Sequence, residues 1–243
     1  MLELKNITWT TEDGRRVLDD VSLSVPDRKL VAITGPNGGG KTSLAKVIAG
    51  IIKPDSGRVL LDGRDITDLD VTQRAREGIA FAFQQPVRFK GLTVRALIEI
   101  AAGKTLNYTK LCDYMSSVGL CARDYLDREI NNTLSGGEMK RIEIATVLAR
   151  GAALTVFDEP EAGIDIWSFA GLIKTFDNLR RAQESTLVVV SHQERVLRTA
   201  DEIVLLTDGK VTLRGSGSEM LASLVSQGNT ATVCGKKEAI IDG

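Results

Sequence analysis

At 243 residues, with 43% hydrophobic residues and a formal net charge of −1, the chain can fill one sizeable α/β core but has little room for two ordinary domains. Acidic and basic residues are interspersed, which excludes a nucleic-acid-binding arm and a polybasic membrane anchor. No apolar run reaches the roughly 20 residues of a membrane span, and Met1-Leu2-Glu3-Leu4-Lys5 lacks a signal-peptide core, so a single cytoplasmic domain over residues 1–243 is expected.

In chain order, residues 2–25 alternate weakly (Leu2, Leu4; Val21, Leu23, Val25), which predicts strands of a half-exposed antiparallel layer. Leu30-Val31-Ala32-Ile33, Leu154-Thr155-Val156-Phe157 and Leu187-Val188-Val189-Val190 are apolar runs without alternation, as expected of strands buried on both faces of a parallel central sheet. Helical patterns follow the first two, over Leu44 to Ile51 and from Trp167 through Leu172, Ile173 and Phe176. Between the two halves, Leu92 to about Leu126 carries a helical pattern (Val94, Leu97, Ile98, Ala101) broken by glycines, predicting a small helical lobe over about 86–133. Ile203-Val204-Leu205-Leu206 and Val211-Thr212-Leu213 flank Asp208-Gly209, a hairpin signal, before a final short helix and a polar tail. Cys112, Cys121 and Cys234 match no zinc or disulfide spacing and are taken as reduced thiols.

Gly35-Pro36-Asn37-Gly38-Gly39-Gly40-Lys41-Thr42 fits G-x-x-x-x-G-K-[ST] directly after a buried strand and before a helix. Its glycines let backbone N–H groups turn toward phosphate oxygens, and the helix that carries Ser43 adds its positive end. Lys41 is expected on the outer phosphates of ATP and Thr42 on Mg²⁺. Asp158-Glu159 leave the second buried strand at its carboxyl end, where ligands of such sheets gather. Asp158 suits an outer-shell or water-bridged ligand of Mg²⁺, and Glu159 suits the orientation and polarisation of an attacking water.

Leu134-Ser135-Gly136-Gly137-Glu138 lies between these two motifs at the start of a helix (Ile142, Ala145, Leu148). Ser135 with Glu138 three residues on is also a capping box, which any helix can use. In this order, however, the motifs resemble ATP-binding-cassette (ABC) ATPases over nearly the whole chain. The resemblance implies a P-loop NTPase of ABC type that hydrolyses Mg-ATP and forms an ATP-dependent homodimer. In that dimer Ser135, Gly136 and Gly137 meet the γ-phosphate of ATP on the other protomer. It also implies that Gln84 touches Mg²⁺ and the attacking water, that Asp165 crosses the dimer interface, and that His192, the only histidine, contacts the γ-phosphate. Trp9 stands two residues early for an adenine-stacking aromatic and is taken as packing.

Within the family, Phe83-Gln84-Gln85-Pro86 with Gly91, Glu138 followed by Lys140-Arg141 and Glu143, and Gly163-Ile164-Asp165-Ile166 resemble SufC, the ATPase of Suf iron–sulfur cluster assembly. That likeness implies a SufB- or SufD-like scaffold as partner, with the cluster ligands on the scaffold. Pro160, Gly39 and the short lobe depart from it, Pro160 toward transporter ATPases. The alternatives are an ATPase attached to transporter membrane subunits, and a non-hydrolysing scaffold subunit that binds ATP only to assemble. Glu159 and His192 argue against the last. A nucleic-acid role is disfavoured by the absence of coiled-coil arms and by the neutral charge.

Overall fold

The computed structural model describes residues 1–131, 133–182 and 185–221. The chain runs β1 (Leu2–Thr10), β2 (Arg16–Val25), β3 (Leu30–Thr34), α1 (Lys41–Ala49), β4 (Ser56–Leu61), β5 (Arg64–Asp65), α2 (Val71–Arg76) and β6 (Ile79–Ala82). It continues through α3 (Val94–Ala102), α4 (Tyr108–Ser117), α5 (Ala122–Tyr125), α6 (Gly136–Arg150), β7 (Leu154–Asp158), α7 (Ile166–Ala182), β8 (Thr186–Val190), α8 (Glu194–Leu197), β9 (Glu202–Thr207) and β10 (Lys210–Ser216). Residues 217–221 start the short helix expected at the end; the polar tail and Cys234 lie outside the described residues.

The non-alternating apolar runs have the physical origin expected of them. In β3, Leu30 and Ala32 face one hydrophobic cluster while Val31 and Ile33 face another. In β8, Leu187 and Val189 divide from Val188 and Val190 in the same way. With side chains alternating across a pleated strand, a sheet covered on both faces selects apolar residues at every position. This sheet has the order β10-β9-β3-β8-β7-β6, parallel from β9 through β6 and ending in antiparallel β10.

On one face, the antiparallel sheet β2-β1-β4-β5 closes a core with α1, through Leu4, Ile7, Val21, Leu44 and Ile48. Trp9 is half-buried against this core. On the other face, Phe157, Phe176 and Leu187 share a cluster with the lobe residues Val94, Ile98, Leu111 and Met115 and with α6. Three lobe helices, α3 to α5, occupy the stretch expected to be helical, with breaks at Gly103 and Gly119. Neither β4, β5 and α2 nor the edge strand β6 stands out in the apolar pattern; β6 has four residues and β5 two, too few to establish a period.

Buried Arg74 ties the first half together. Its guanidinium donates to the carbonyls of Val47 (2.6 Å) and Ile48 (2.9 Å) in the last turn of α1, and to those of Thr67 (3.0 Å) and Leu69 (3.1 Å) in the segment before α2. Burial lowers its pKa to about 10, with the charge of Asp65 acting the other way. Among the described residues no helix is long and apolar enough to cross a membrane.

Candidate functional site

The carboxyl ends of β3, β7 and β8 lie side by side and present one loop each. β3 runs straight into Gly35–Gly40, and α1 then starts at Lys41. The N-cap of α1 is Gly40, with φ 98°, and no side chain caps it. The first N–H groups of the helix, on Lys41, Thr42 and Ser43, therefore point out of the fold with the positive end of the dipole behind them. Gly39 has a packing reason: a Cβ there would lie 2.9 Å from the Leu206 carbonyl oxygen and 3.0 Å from that of Pro36. Lys41 is 5% exposed and its Nζ donates to the carbonyls of Gly35 and Pro36, both at 2.9 Å, so an ammonium is held at the mouth of the loop. Asn37, Gly38, Thr42, Ser43 and Glu159 line the same cleft.

Thr42 donates its hydroxyl to Asp158 Oδ1 at 3.0 Å. Asp158 is 1% exposed; burial raises its pKa, the Thr42 bond lowers it, and the nearby Glu159 charge raises it. A buried carboxylate beside a hydroxyl, next to an anion-binding helix end, is a hard oxygen donor set of the kind that suits Mg²⁺ held jointly with phosphates. Glu159 is held at φ 45°, a conformation that costs a non-glycine residue about 1–2 kcal/mol, and its N–H donates to the Val190 carbonyl at 2.9 Å. Its Oε2 accepts from Gln84 Nε2 at 2.7 Å, across from the loop after β6.

His192 follows β8 and Ser191, as expected, and is exposed. Ser191 donates to Glu161 Oε1 and accepts from the Gln193 N–H. Glu161 Oε2 is buried and meets no hydrogen-bond donor among the described residues. Burial pushes the Glu161 pKa up, the Ser191 hydroxyl and the His192 charge push it down, and the Glu159 charge adds to the upward shift.

Ser135 caps α6, and Gly136 and Gly137 are its first two residues. The capping box is present: Ser135 Oγ accepts from the Glu138 N–H at 3.3 Å, and Glu138 Oε2 accepts from the Ser135 N–H at 2.7 Å. Tyr125 adds a hydrogen bond to Glu138, which lowers the pKa of that carboxyl. Ser135 is thus a structural cap, while Gly136 has open space where a Cβ would stand, leaving the helix end approachable. A Cβ on Gly137 would lie 2.9 Å from the Gly163 carbonyl oxygen, so only glycine lets α6 close on the segment leading to Asp165. Asp165 precedes α7 and accepts at its carbonyl from the Phe169 N–H at 2.9 Å.

The structure therefore brings together Gly35–Ser43, Asp158, Glu159, Gln84 and the β8 end carrying His192. Ser135, Gly136, Gly137 and Asp165 form a second group within the same chain. The motifs alone did not show Arg15 and Val17, which line the phosphate-loop cleft, nor the Glu161–Ser191 bond. They also missed Lys140 and Glu143 on α6, which grip the backbone of Phe83 just before Gln84.

Comparison with known proteins identifies the family and the fold. The family model described as ABC transporter matches residues 18–162. An uncharacterized ABC transporter ATP-binding protein of Methanocaldococcus jannaschii is 38% identical over 215 residues, covering 85% of this chain and 86% of its own length. The energy-coupling factor transporter ATP-binding protein EcfA1 of Mycoplasma mobile is 33% identical over 228 residues, 91% of this chain and 82% of that protein. Among solved structures, a dimeric ATP-binding cassette in a post-hydrolysis state, bound to ADP and Pi, superimposes with a TM-score of 0.80 at 28% identity, over 89% of this chain and 98% of the other.

Proposed function

The chain belongs to the ABC transporter family of ATP-binding cassettes and is an ABC-type ATP hydrolase, and from that premise we propose that it is a Mg-ATP-driven motor subunit that moves a partner attached at its helical lobe. The observation that carries the reading is the meeting, at one sheet edge, of the uncapped α1 N-terminus, the Thr42–Asp158 pair and the Gln84–Glu159 pair. In this reading the backbone of Gly35, Pro36, Asn37, Gly38, Gly39 and Gly40, with Lys41 and Ser43, binds the phosphates of ATP. Thr42, Asp158 and Gln84 hold Mg²⁺, which when bound neutralises charge developing on the phosphates. Glu159 orients and polarises the attacking water, and His192 contacts the γ-phosphate. Ser135, Gly136, Gly137 and Asp165 serve ATP held by a second copy, so the site is complete only in the ATP-bound dimer. The whole chain acts as one cassette in the cytoplasm, with the lobe inserted at about 86–133.

For the partner, the relatives favour membrane subunits of a transporter, since those named above are ATP-binding proteins of transporters. The exposed Phe83, Val87 and Phe89 support this reading, because they flank an apolar groove beside Gln84 that suits a docking element. A second reading, a SufBD-like iron–sulfur assembly scaffold, is supported by α6. Glu138 and the Lys140–Glu143 pair, which resemble the Suf ATPase, all make structural contacts here. A non-hydrolysing scaffold role is disfavoured by the placement of Glu159.

The test is an anaerobic pull-down of tagged Glu159→Gln chain from native extract with ATP and detergent. Stoichiometric recovery of a multi-span membrane protein supports the transporter reading, and a soluble, cysteine-bearing partner establishes the assembly reading. Steady ATP turnover abolished by Glu159→Gln excludes the scaffold role.

A further inference from the structure

Lys140 is 0% exposed, and its Nζ bonds to Glu143 Oε2 at 3.0 Å and donates to the carbonyl of Phe83. Glu143 Oε1 accepts from the Phe83 N–H at 3.0 Å. Both backbone groups of one residue are therefore held by a buried ion pair one helical turn apart on α6. Phe83 is the residue at which β6, the edge strand, has just ended, so the ladder supplies neither partner. Gln84, the next residue, holds Glu159 at 2.7 Å. In the other direction along α6, five residues before Lys140, stands the cap Ser135.

A buried ion pair is poor value for stability, since well-packed apolar residues of the same volume serve as well or better. What it supplies here is direction: a donor and an acceptor aimed at one peptide unit, which apolar side chains cannot give. We propose that Lys140 and Glu143 are positioning residues for Gln84, clamping Phe83 to α6 so that a shift of this Ser135-capped helix moves the Gln84–Glu159 contact with it. The clamp makes one mechanical unit of the helix that meets the second copy's ATP and the loop that addresses the chain's own Glu159. It rests on the roles assigned above to Gln84 and Glu159.

The experiment compares Lys140→Met and Glu143→Leu, each alone and with Gln84→Ala, in the full chain. The expected result is a KM for ATP within about twofold of the parent and a kcat lower by about tenfold, because the phosphate loop is untouched. Added to Gln84→Ala, neither change slows turnover further by more than about twofold, since the clamp acts through Gln84. Amide hydrogen exchange around Phe83 and Gln84 rises in both variants, while exchange in α1 stays as in the parent.

Losses that multiply with that of Gln84→Ala overturn the proposal, as does unchanged exchange at Phe83 and Gln84. Where leaving Glu143 unpaired unfolds the chain, Lys140→Met with Glu143→Leu removes both charges and carries the same comparisons. A parent chain with no turnover removes the ATPase assignment instead, and the exchange measurement then judges the clamp by itself.

Discussion

Gln84 donates from Nε2 to Glu159 Oε2 at 2.7 Å, joining the loop that leads into the helical lobe to the carboxylate at the end of β7. A carboxylate held this way, at a strained φ, has its direction set before ATP arrives. Glu159→Gln is expected to keep ATP binding and to lose turnover by on the order of a hundred- to ten-thousand-fold in a phosphate-release assay. Turnover at the parent rate would remove Glu159 from the role of base.

Ser135 caps α6, and the proposed function adds that it faces ATP held by a second copy; the two parts can be separated. Ser135→Arg places a bulky cation at the helix end and costs about 1 kcal/mol of cap stability, which leaves the fold and ATP binding in place. Hydrolysis is expected to stop. Mixing this variant with Lys41→Ala, itself inactive, restores part of the activity, because mixed dimers contain one site with both an intact phosphate loop and an intact Ser135. Absence of any recovery on mixing would count against sites shared between copies.

Glu161 predicts a pH dependence of stability. Burial, the largest cause, raises its pKa in the folded state above the ordinary carboxylate value, and Asp158 and Glu143 shift in the same direction for the same reason. Between the unfolded and folded pKa values the native chain binds more protons, so the unfolding free energy falls as pH rises through that window. Glu161→Gln removes one of these contributions. Its stability relative to the parent is expected to improve as pH rises from about 4 and then to level off. Urea melts across pH measure this, and a difference independent of pH contradicts it.

Arg74 gives a purely structural prediction. Arg74→Met takes the guanidinium away from the carbonyls of Val47, Ile48, Thr67 and Leu69, of which Val47 keeps the Gly50 N–H, and should cost about 3 kcal/mol in denaturant melts. A loss below about 1 kcal/mol would mean that these acceptors find other partners.

The phosphate loop, the Asp158-Glu159 strand end and the α6 start were legible in the sequence because each needs particular residue types at fixed local spacing. The buried strands were legible because a sheet covered on both faces leaves four-residue runs without the apolar–polar alternation of a half-exposed strand, with Thr155 the one polar member of the three runs. The Lys140–Glu143 clamp was not legible, since its target Phe83 lies about 60 residues away and one turn of charged residues on a helix reads as a solvated face. The Glu161–Ser191 bond escaped for a similar reason: it depends on β7 and β8 being neighbours, which no local pattern encodes. Trp9 packs on the core as its offset position implied, while Arg15 and Val17 reach the cleft only through the fold of the β1–β2 hairpin.

If ATP completes a site between two copies, sedimentation of the Glu159→Gln chain will show it. With saturating Mg-ATP a dimer is expected, and with Mg-ADP a monomer. A Glu159→Gln chain that binds ATP and still sediments as a monomer would contradict it.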